Sequence, residues 1–539
     1  LNSFSARFGE LAADWSADPS DMPKRHKFLI FGVMAFGQFM ALLDIQIVSA
    51  SLSDVQAGLS AGPDEVSWVQ TAYLMAELVM IPLSAYLGKA MSTRWLFAAS
   101  AGLFTTSSFL CALAWNIPSM IVFRGLQGFT GGAMVPLVFS VGFRLFTGKD
   151  RAMIPAILGT VSVIAPTIGP TVGGWVTDVL DWHWLFYINI LPGVIVTTLS
   201  VFLIRVDKPE TALFSRIDWS HFAAMAIFLA GIEYVLEEGQ RKDWFGDPAI
   251  ATGAWLSFVA FVLFLERSFF SVNPIVKLKV FRKPIFAFAC VFNLVIGFGM
   301  YASIYLVPVY LARVRGFDSL QIGTTVFVVG VAQILSTFIA ARLSQRVDMR
   351  YMITVGLLLF AFSLWLTSFM TSEWGFWELA LPQAVRGLAM MLCIVPSVTM
   401  ALSSFPPQEI GDASGVFNLM RNLGGAVGIA VVNTLLADHT RMAAARFGEV
   451  LADHGATAHR IVTGLTTTLQ NVTPDPAKAA LMAQGLMAQV VGRQSLAIAF
   501  DDVFRLMAWM FFAALVMVPF CRIPPATPAQ AAAAKEASH

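Results

Sequence analysis

The chain has 539 residues, of which 57% are hydrophobic and only 13% charged, with a formal net charge of +1. Soluble domains carry about 25% charged residues, so this composition excludes a water-soluble globular protein and indicates a polytopic membrane protein surrounded by lipid. The near-neutral balance and the absence of a basic tract give no ground for nucleic acid as a partner.

The opening residues, 1–27, are polar and lack the apolar core of a cleavable signal, so the first apolar segment is expected to act as an uncleaved anchor. A membrane-crossing helix needs about 20 predominantly apolar residues. Fourteen such runs follow: 28–52, 66–87, 95–115, 118–144, 152–179 and 183–204, then 217–237 and 249–266, then 284–311, 319–342, 351–371, 377–403, 412–437 and 498–521. The expected fold class is therefore all-α, with fourteen transmembrane helices. Lysine and arginine cluster in every second loop, whereas the short loops between them hold only Arg241, Lys242, Arg313 and Arg315. By the positive-inside rule both termini are expected in the cytoplasm.

The chain is also internally repeated. "LGKAMSTR" (Leu87–Arg94) is echoed by "LSQRVDMR" (Leu343–Arg350), and "LQGFTGGAMVP" from Leu126 by "VRGLAMMLCIVP" from Val385, at offsets of 256 and 259 residues. Two parallel six-helix halves explain both matches. The expected division is a cytoplasmic segment 1–27, a first half 28–205, two inserted helices with flanking loops 206–283, a second half 284–522 and a cytoplasmic tail 523–539. The second half holds a long outside loop, 438–497, rich in Ala, Gln and Met with helical amphipathic spacing. That loop suits a helix on the bundle or membrane surface, or a docking surface for a partner.

An ionisable side chain at mid-membrane costs at least ~2.5–3.5 kcal/mol on insertion scales. Six residues incur that cost: Asp44, Glu77, Arg124, Glu233, Arg386 and Arg421. Burial raises a carboxylate's affinity for its proton and a nearby cation lowers it, so Asp44 can exchange protons if an arginine approaches in only one conformation; a static ion pair is the alternative. Arg124, Gln127 and Gly128 share one helix face by their i, i+3, i+4 spacing. Asp178, Glu266, Asp501 and Asp502 lie near span ends, where solvation suffices. Cys111, Cys290, Cys393 and Cys521 fall in apolar segments as small buried hydrophobes. His454 and His459 form no metal constellation, and no metal site is expected. No P-loop, G-x-S-x-G or His–carboxylate cluster indicates an enzyme or an ATP-driven pump.

The fifth run carries "APTIGPTVGGW", with Pro166, Gly169, Pro170, Gly173 and Gly174. In a bundle, neighbouring helices re-satisfy groups freed by proline, and small residues admit close contact. Ala165, Gly169 and Gly173 form such a stripe, and the helix it should receive is expected across the interface between the two halves.

These motifs together resemble the fourteen-span drug:proton antiporters of the major facilitator superfamily, the EmrB/QacA type and most closely EmrB. "LLDIQIVSASL" resembles the family's first-span signature, with Asp44 on its acidic position. "RGLQGFTGG" matches the span-four R-x-x-Q-G motif, "APTIGPTVGGW" the antiporter motif, and "DWHWLFYINILPG" the element that follows. The likeness covers nearly the whole chain. It implies alternating-access export of hydrophobic or amphipathic small molecules from the bacterial inner membrane, driven by the proton gradient without a cofactor. It also implies an EmrA-like periplasmic adaptor and a TolC-like outer-membrane channel. Asp44, Glu77 and Arg124 are then the candidates for proton coupling. Gln38, Gln46, Gln127, Gly128, Glu233, Arg386, Asn418 and Arg421 are candidates for the cavity or its motifs. Lys89 stands where the family's second-loop motif usually has aspartate, which removes a latch built on that acid. Gln46 and Ser49 also depart from the signature. An exporter dedicated to one endogenous metabolite, lipid or siderophore is the competing reading.

Overall fold

The structure, a computed structural model, describes residues 22–520 apart from 147, 152, 272, 345, 407–408, 454, 472 and 474. Residues 1–21, Cys521, the tail and the side chains of His454 and His459 lie outside the described residues.

Among the described residues there is no strand, and fourteen helices are long and apolar enough to cross a membrane. Only helices or closed barrels satisfy every backbone polar group in lipid. The first six are α1 (Lys24–Ala50), α2 (Trp68–Met91), α3 (Thr93–Ala112), α4 (Ile117–Leu145), α5 (Met153–Val179) and α6 (Trp184–Leu203). Next come α7 (Trp219–Glu238) and α8 (Pro248–Phe270). The last six are α9 (Pro284–Tyr310), α10 (Ser319–Leu343), α11 (Met349–Thr367), α12 (Phe376–Ser403), α13 (Ile410–Asp453) and α14 (Pro476–Leu515). Loop acids start several of them. Asp218, Asp247, Asp318, Asp348 and Asp475 each accept a backbone N–H of the first turn, satisfying donors that a helix start leaves orphaned.

Packing repeats with a shift of eight helices. The pairs α1–α5, α2–α4, α3–α4 and α3–α6 recur as α9–α13, α10–α12, α11–α12 and α11–α14. The halves meet mainly along α5–α10 and α2–α13. The inserted helices pack on each other, and α7 also lies against α2 and α13. The fold is thus two six-helix halves with two inserted helices.

The outside segment 438–497 is largely helical, in keeping with its amphipathic spacing, but the helices are in large part continuations of the two spans that flank it. α13 continues unbroken for 44 residues, a second helix runs over Gly455–Gln470, and α14 begins at Pro476. At 1.5 Å per residue α13 is about 66 Å long, roughly twice the ~30 Å hydrocarbon core. His439 on α13 and Asp502 on α14 join the two stems at 3.0 Å, so Asp502 is more than a solvated end charge.

Candidate functional site

Odd-numbered helices run from the end of the bundle where α1 starts, here the near end, to the far end; even-numbered helices return. Two polar sites and one seal lie along that axis.

Within the first half, Asp44 of α1 is completely buried and accepts three hydrogen bonds. Arg124 Nη1 donates to its Oδ2 at 2.7 Å, while Gln127 Nε2 and Asn189 Nδ2 donate to its Oδ1 at 3.0 and 2.5 Å. Arg124 also donates through Nη1 to Gln127 Oε1 at 2.7 Å and through Nε to the Val69 carbonyl at 3.2 Å. Its guanidinium carbon stands 4.3 Å from the Tyr73 ring centre. Asn189 is oriented by Ser108, whose hydroxyl lies 3.1 Å from Nδ2. The glycine Gly128 makes this geometry attainable: a Cβ there would meet the Tyr73 carbonyl oxygen at 2.2 Å, so α4 can press its arginine face against α2 only without a side chain at that position.

Between the halves lies a cavity of about 640 Å³. Its walls come from α1, α2, α5, α7, α9, α10 and α13; on α1, α2, α7, α9 and α10 the lining residues sit toward the far end, whereas Pro166 and Thr167 lie at the middle of α5 and residues 422–433 in the membrane-spanning part of α13. Glu77 of α2 and Glu233 and Glu237 of α7 line it, together with Gln46, Gln70, Tyr301, Tyr305, Asn422 and Asn433. No lysine or arginine is among the lining residues.

At the near end the halves are tied together. Lys89 Nζ of α2 lies 2.7 Å from Asp412 Oδ2 of α13, and Lys277, on the connection after the inserted pair, reaches the same oxygen at 3.1 Å. Burial favours loss of the Lys277 proton, but the Asp412 carboxylate more than reverses this and holds the ammonium above the usual lysine range. Asp412 also occupies the first turn of α13, where the helix dipole favours an anion. Nearby, the Ser414 hydroxyl donates to the Pro136 carbonyl at 3.1 Å, joining α13 to α4. A near-end latch therefore exists with the sign of its charges exchanged: lysine on α2, aspartate on α13.

The structure sorts the residues singled out in the sequence. Asp44, Arg124 and Gln127 come together, but inside the first half and behind the cavity wall. Glu77, Glu233, Gln46, Pro166 and Pro170 line the cavity. Gln38 donates to Ser162 at 3.1 Å between α1 and α5, and Arg421 donates to Asn418 at 2.8 Å within α13; neither group lines the cavity, nor do Gln127, Gly128 and Arg386. Arg386 is 2% exposed and has no hydrogen bond or ion pair among the described residues.

The glycine stripe requires correction. A Cβ at Gly169 would meet the Gln46 Cβ at 2.4 Å, and one at Gly173 the Ile47 carbonyl at 2.7 Å. The stripe therefore receives α1 of its own half, not a helix of the other half. Gly174 contributes its carbonyl to the Thr177 hydroxyl. The cross-half contact is made by other α5 residues: Thr171 against Gly323, Thr167 against Gly330, and Thr160 hydrogen-bonded to Thr337.

Four residues that these sites bring in, Asn189, Glu237, Tyr73 and Asp412, are not singled out by the sequence. Asn189 lay in plain view inside "YINILPG". Glu237 follows Glu233 by one helical turn but sits close to a span end. Tyr73 carries no charge to mark it, and Asp412 stands at a helix start, where an acid is unremarked.

Comparison with known proteins agrees with this architecture. The sequence profile of the Major Facilitator Superfamily matches residues 34–429. The Colistin resistance protein EmrB of Acinetobacter baumannii is 37% identical over 498 residues, covering 92% of this chain and 97% of that protein. The Multidrug export protein EmrB of Escherichia coli K12 is 26% identical over 496 residues, covering 91% and 94%. Among solved structures, the human organic anion transporter MFSD10 superposes with a TM-score of 0.54 at 13% identity, covering 91% of this chain and all of that one. This last likeness concerns the fold alone.

Proposed function

The chain belongs to the major facilitator superfamily and is a multi-pass membrane transporter, and from that premise we propose that it exports hydrophobic or amphipathic compounds across the bacterial inner membrane in exchange for protons. The names of its relatives support multidrug efflux. The observation that carries the reading is the far-half cavity, lined by Glu77, between halves that are tied shut at the near end. With the near end cytoplasmic, this is a conformation whose substrate site faces outward.

In the proposed cycle the halves rock about the α5–α10 and α2–α13 contacts. Closing the far end and parting Lys89 from Asp412 presents the cavity to the cytoplasm. Asp44 can take a proton only when Arg124, Gln127 and Asn189 relax their hold, so helix movement between α1 and α4 decides its protonation; Glu77 is the cavity-side partner in this exchange. The proton gradient is the energy source and no cofactor takes part. One proton moving down 100 mV supplies ~2.3 kcal/mol, enough for roughly fifty-fold accumulation since 1.4 kcal/mol is tenfold. The projecting stems of α13 and α14, with the Gly455–Gln470 helix, offer the surface for an EmrA-like adaptor leading to a TolC-like channel. The test is transport in proteoliposomes holding the full chain. Substrate movement should follow an imposed pH gradient and stop when a protonophore collapses it. Movement indifferent to the protonophore would assign a uniporter instead.

A further inference from the structure

Three acids, Glu233, Glu237 and Glu238, fall on the inserted helix α7 and behave differently. Glu238 of α7 is a structural tie: its carboxylate accepts from the Ser67 hydroxyl at 3.1 Å and the Thr71 hydroxyl at 3.3 Å, and pairs with Arg241. Beside it, Tyr234 stacks on Trp68 with ring centres 5.5 Å apart. α7 is thereby fastened to α2 and presents its other face to the cavity. On that face Glu233 and Glu237 stand one turn apart, and Glu77 lines the same cavity from α2.

Glu77 and Glu233 are 7% and 5% exposed, yet neither has a hydrogen bond or ion pair among the described residues. A buried carboxylate without a partner is costly. Arg421 and Arg124, whose charges act on Glu77, form no ion pair with it: Arg124 pairs with Asp44, and Arg421 donates to Asn418. The remaining wall offers the aromatic rings of Tyr301 and Tyr305 and apolar surface such as Ile304 and Val309. Carboxylates beside aromatic faces suit a cation attached to an apolar body, since an aromatic face attracts cations as well.

We infer that α7 is the charge-recognition wall of the cavity, and that the substrates are amphipathic organic cations whose charged group is held by Glu233 and Glu237 with Glu77 beside them. This rests on the export reading for its physiological meaning, but binding and export are measured apart. The inserted pair is on this view part of the substrate site, carried by the first half.

The experiment uses the purified full chain in detergent and two probes of the same shape, tetraphenylphosphonium and tetraphenylborate, each dialysed separately against protein-free micelles. The phosphonium should bind at least about thirtyfold more tightly than the borate. E233Q and E237Q should each weaken it by about tenfold and together by about a hundredfold, while E237K should turn the preference toward the borate. Equal binding of the two ions overturns the inference. So does unchanged phosphonium binding in the glutamine variants. Should E233Q not fold, the partly buried Glu237 decides, and phosphonium binding retained in both E237Q and E237K overturns it. Glutamate-dependent binding in a chain that transports nothing upholds the inference and removes the export reading. Transport of phosphonium and borate alike removes the inference and leaves export standing.

Discussion

α2 and α4 in the first half and α10 and α12 in the second are built on one packing plan and carry different chemistry. Gly128 lets α4 press on the Tyr73 backbone, and Gly387, 259 residues later, lets α12 press on the Val329 carbonyl at 2.5 Å. Arg124 Nε donates to the Val69 carbonyl, and Gln383, also 259 residues on, donates through Nε2 to the Thr325 carbonyl at 3.0 Å. Beyond that hydrogen bond the halves part. α1 supplies Asp44, whereas α9 has no acid at all, and Arg386 stands at the position of Gln127 without an ion pair among the described residues. The two halves thus share their packing contacts and differ in where their charges stand.

Substitutions at Arg124 and at its counterpart Gln383 should have very different effects. R124Q leaves the Asp44 carboxylate buried without its cation, which costs about 3–5 kcal/mol. We expect a large drop in thermal stability and loss of substrate-driven transport. Q383A removes one neutral hydrogen bond worth about 1 kcal/mol, and should transport nearly as the wild type does. An equal loss at both positions would erase the distinction between the halves.

The near-end latch is next in size. D412K and K89D should each weaken the outward-facing state, and the exchanged pair K89D/D412K should recover it with a coupling of about 0.5–3 kcal/mol, read as accessibility of a cysteine placed at Ser414. Additive effects would show that the ion pair is incidental.

Gly173 and Gly428 come third. Gly173 receives the Ile47 backbone on α1, and Gly428, 255 residues later on α13, receives the Phe298 carbonyl at 2.8 Å on α9. If both serve helix packing within a half, G173V and G428V should lose similar stability, about 1–3 kcal/mol by overpacking. A transport defect in G173V with unaltered stability would return a special role to the fifth-helix stripe. The smallest effect is expected at Arg386. Removing an unpaired buried charge is often neutral or stabilising, so R386Q should keep transport within about twofold and melt no lower.

Most of the fold was legible because lipid enforces it: a crossing needs a long apolar run, and fourteen were present. The helical spacing of 438–497 was legible too, but not that α13 and α14 run into it unbroken, because a helix that leaves the membrane loses the hydropathy that marked its span. The ion pair of Asp44 and Arg124 could be anticipated, since charges inside apolar runs are conspicuous. Asn189 and Tyr73 carry no such penalty and stayed hidden. In the sequence Lys89 signals only a lost latch, because its partner Asp412 looks like an ordinary helix-start acid until the fold brings the two together. A glycine stripe announces that some backbone comes close; only the three-dimensional packing says that it is α1.

In the proposed cycle Asp44, the buried acid of the first half, couples proton release to substrate. This coupling is tested most directly by proton release from purified chain in weakly buffered detergent when substrate is added, comparing wild type with D44N and E77Q. The wild type should give a substrate-dependent proton signal that is absent in D44N and diminished in E77Q, with D44N still binding substrate. A full proton signal in D44N would contradict this role for Asp44.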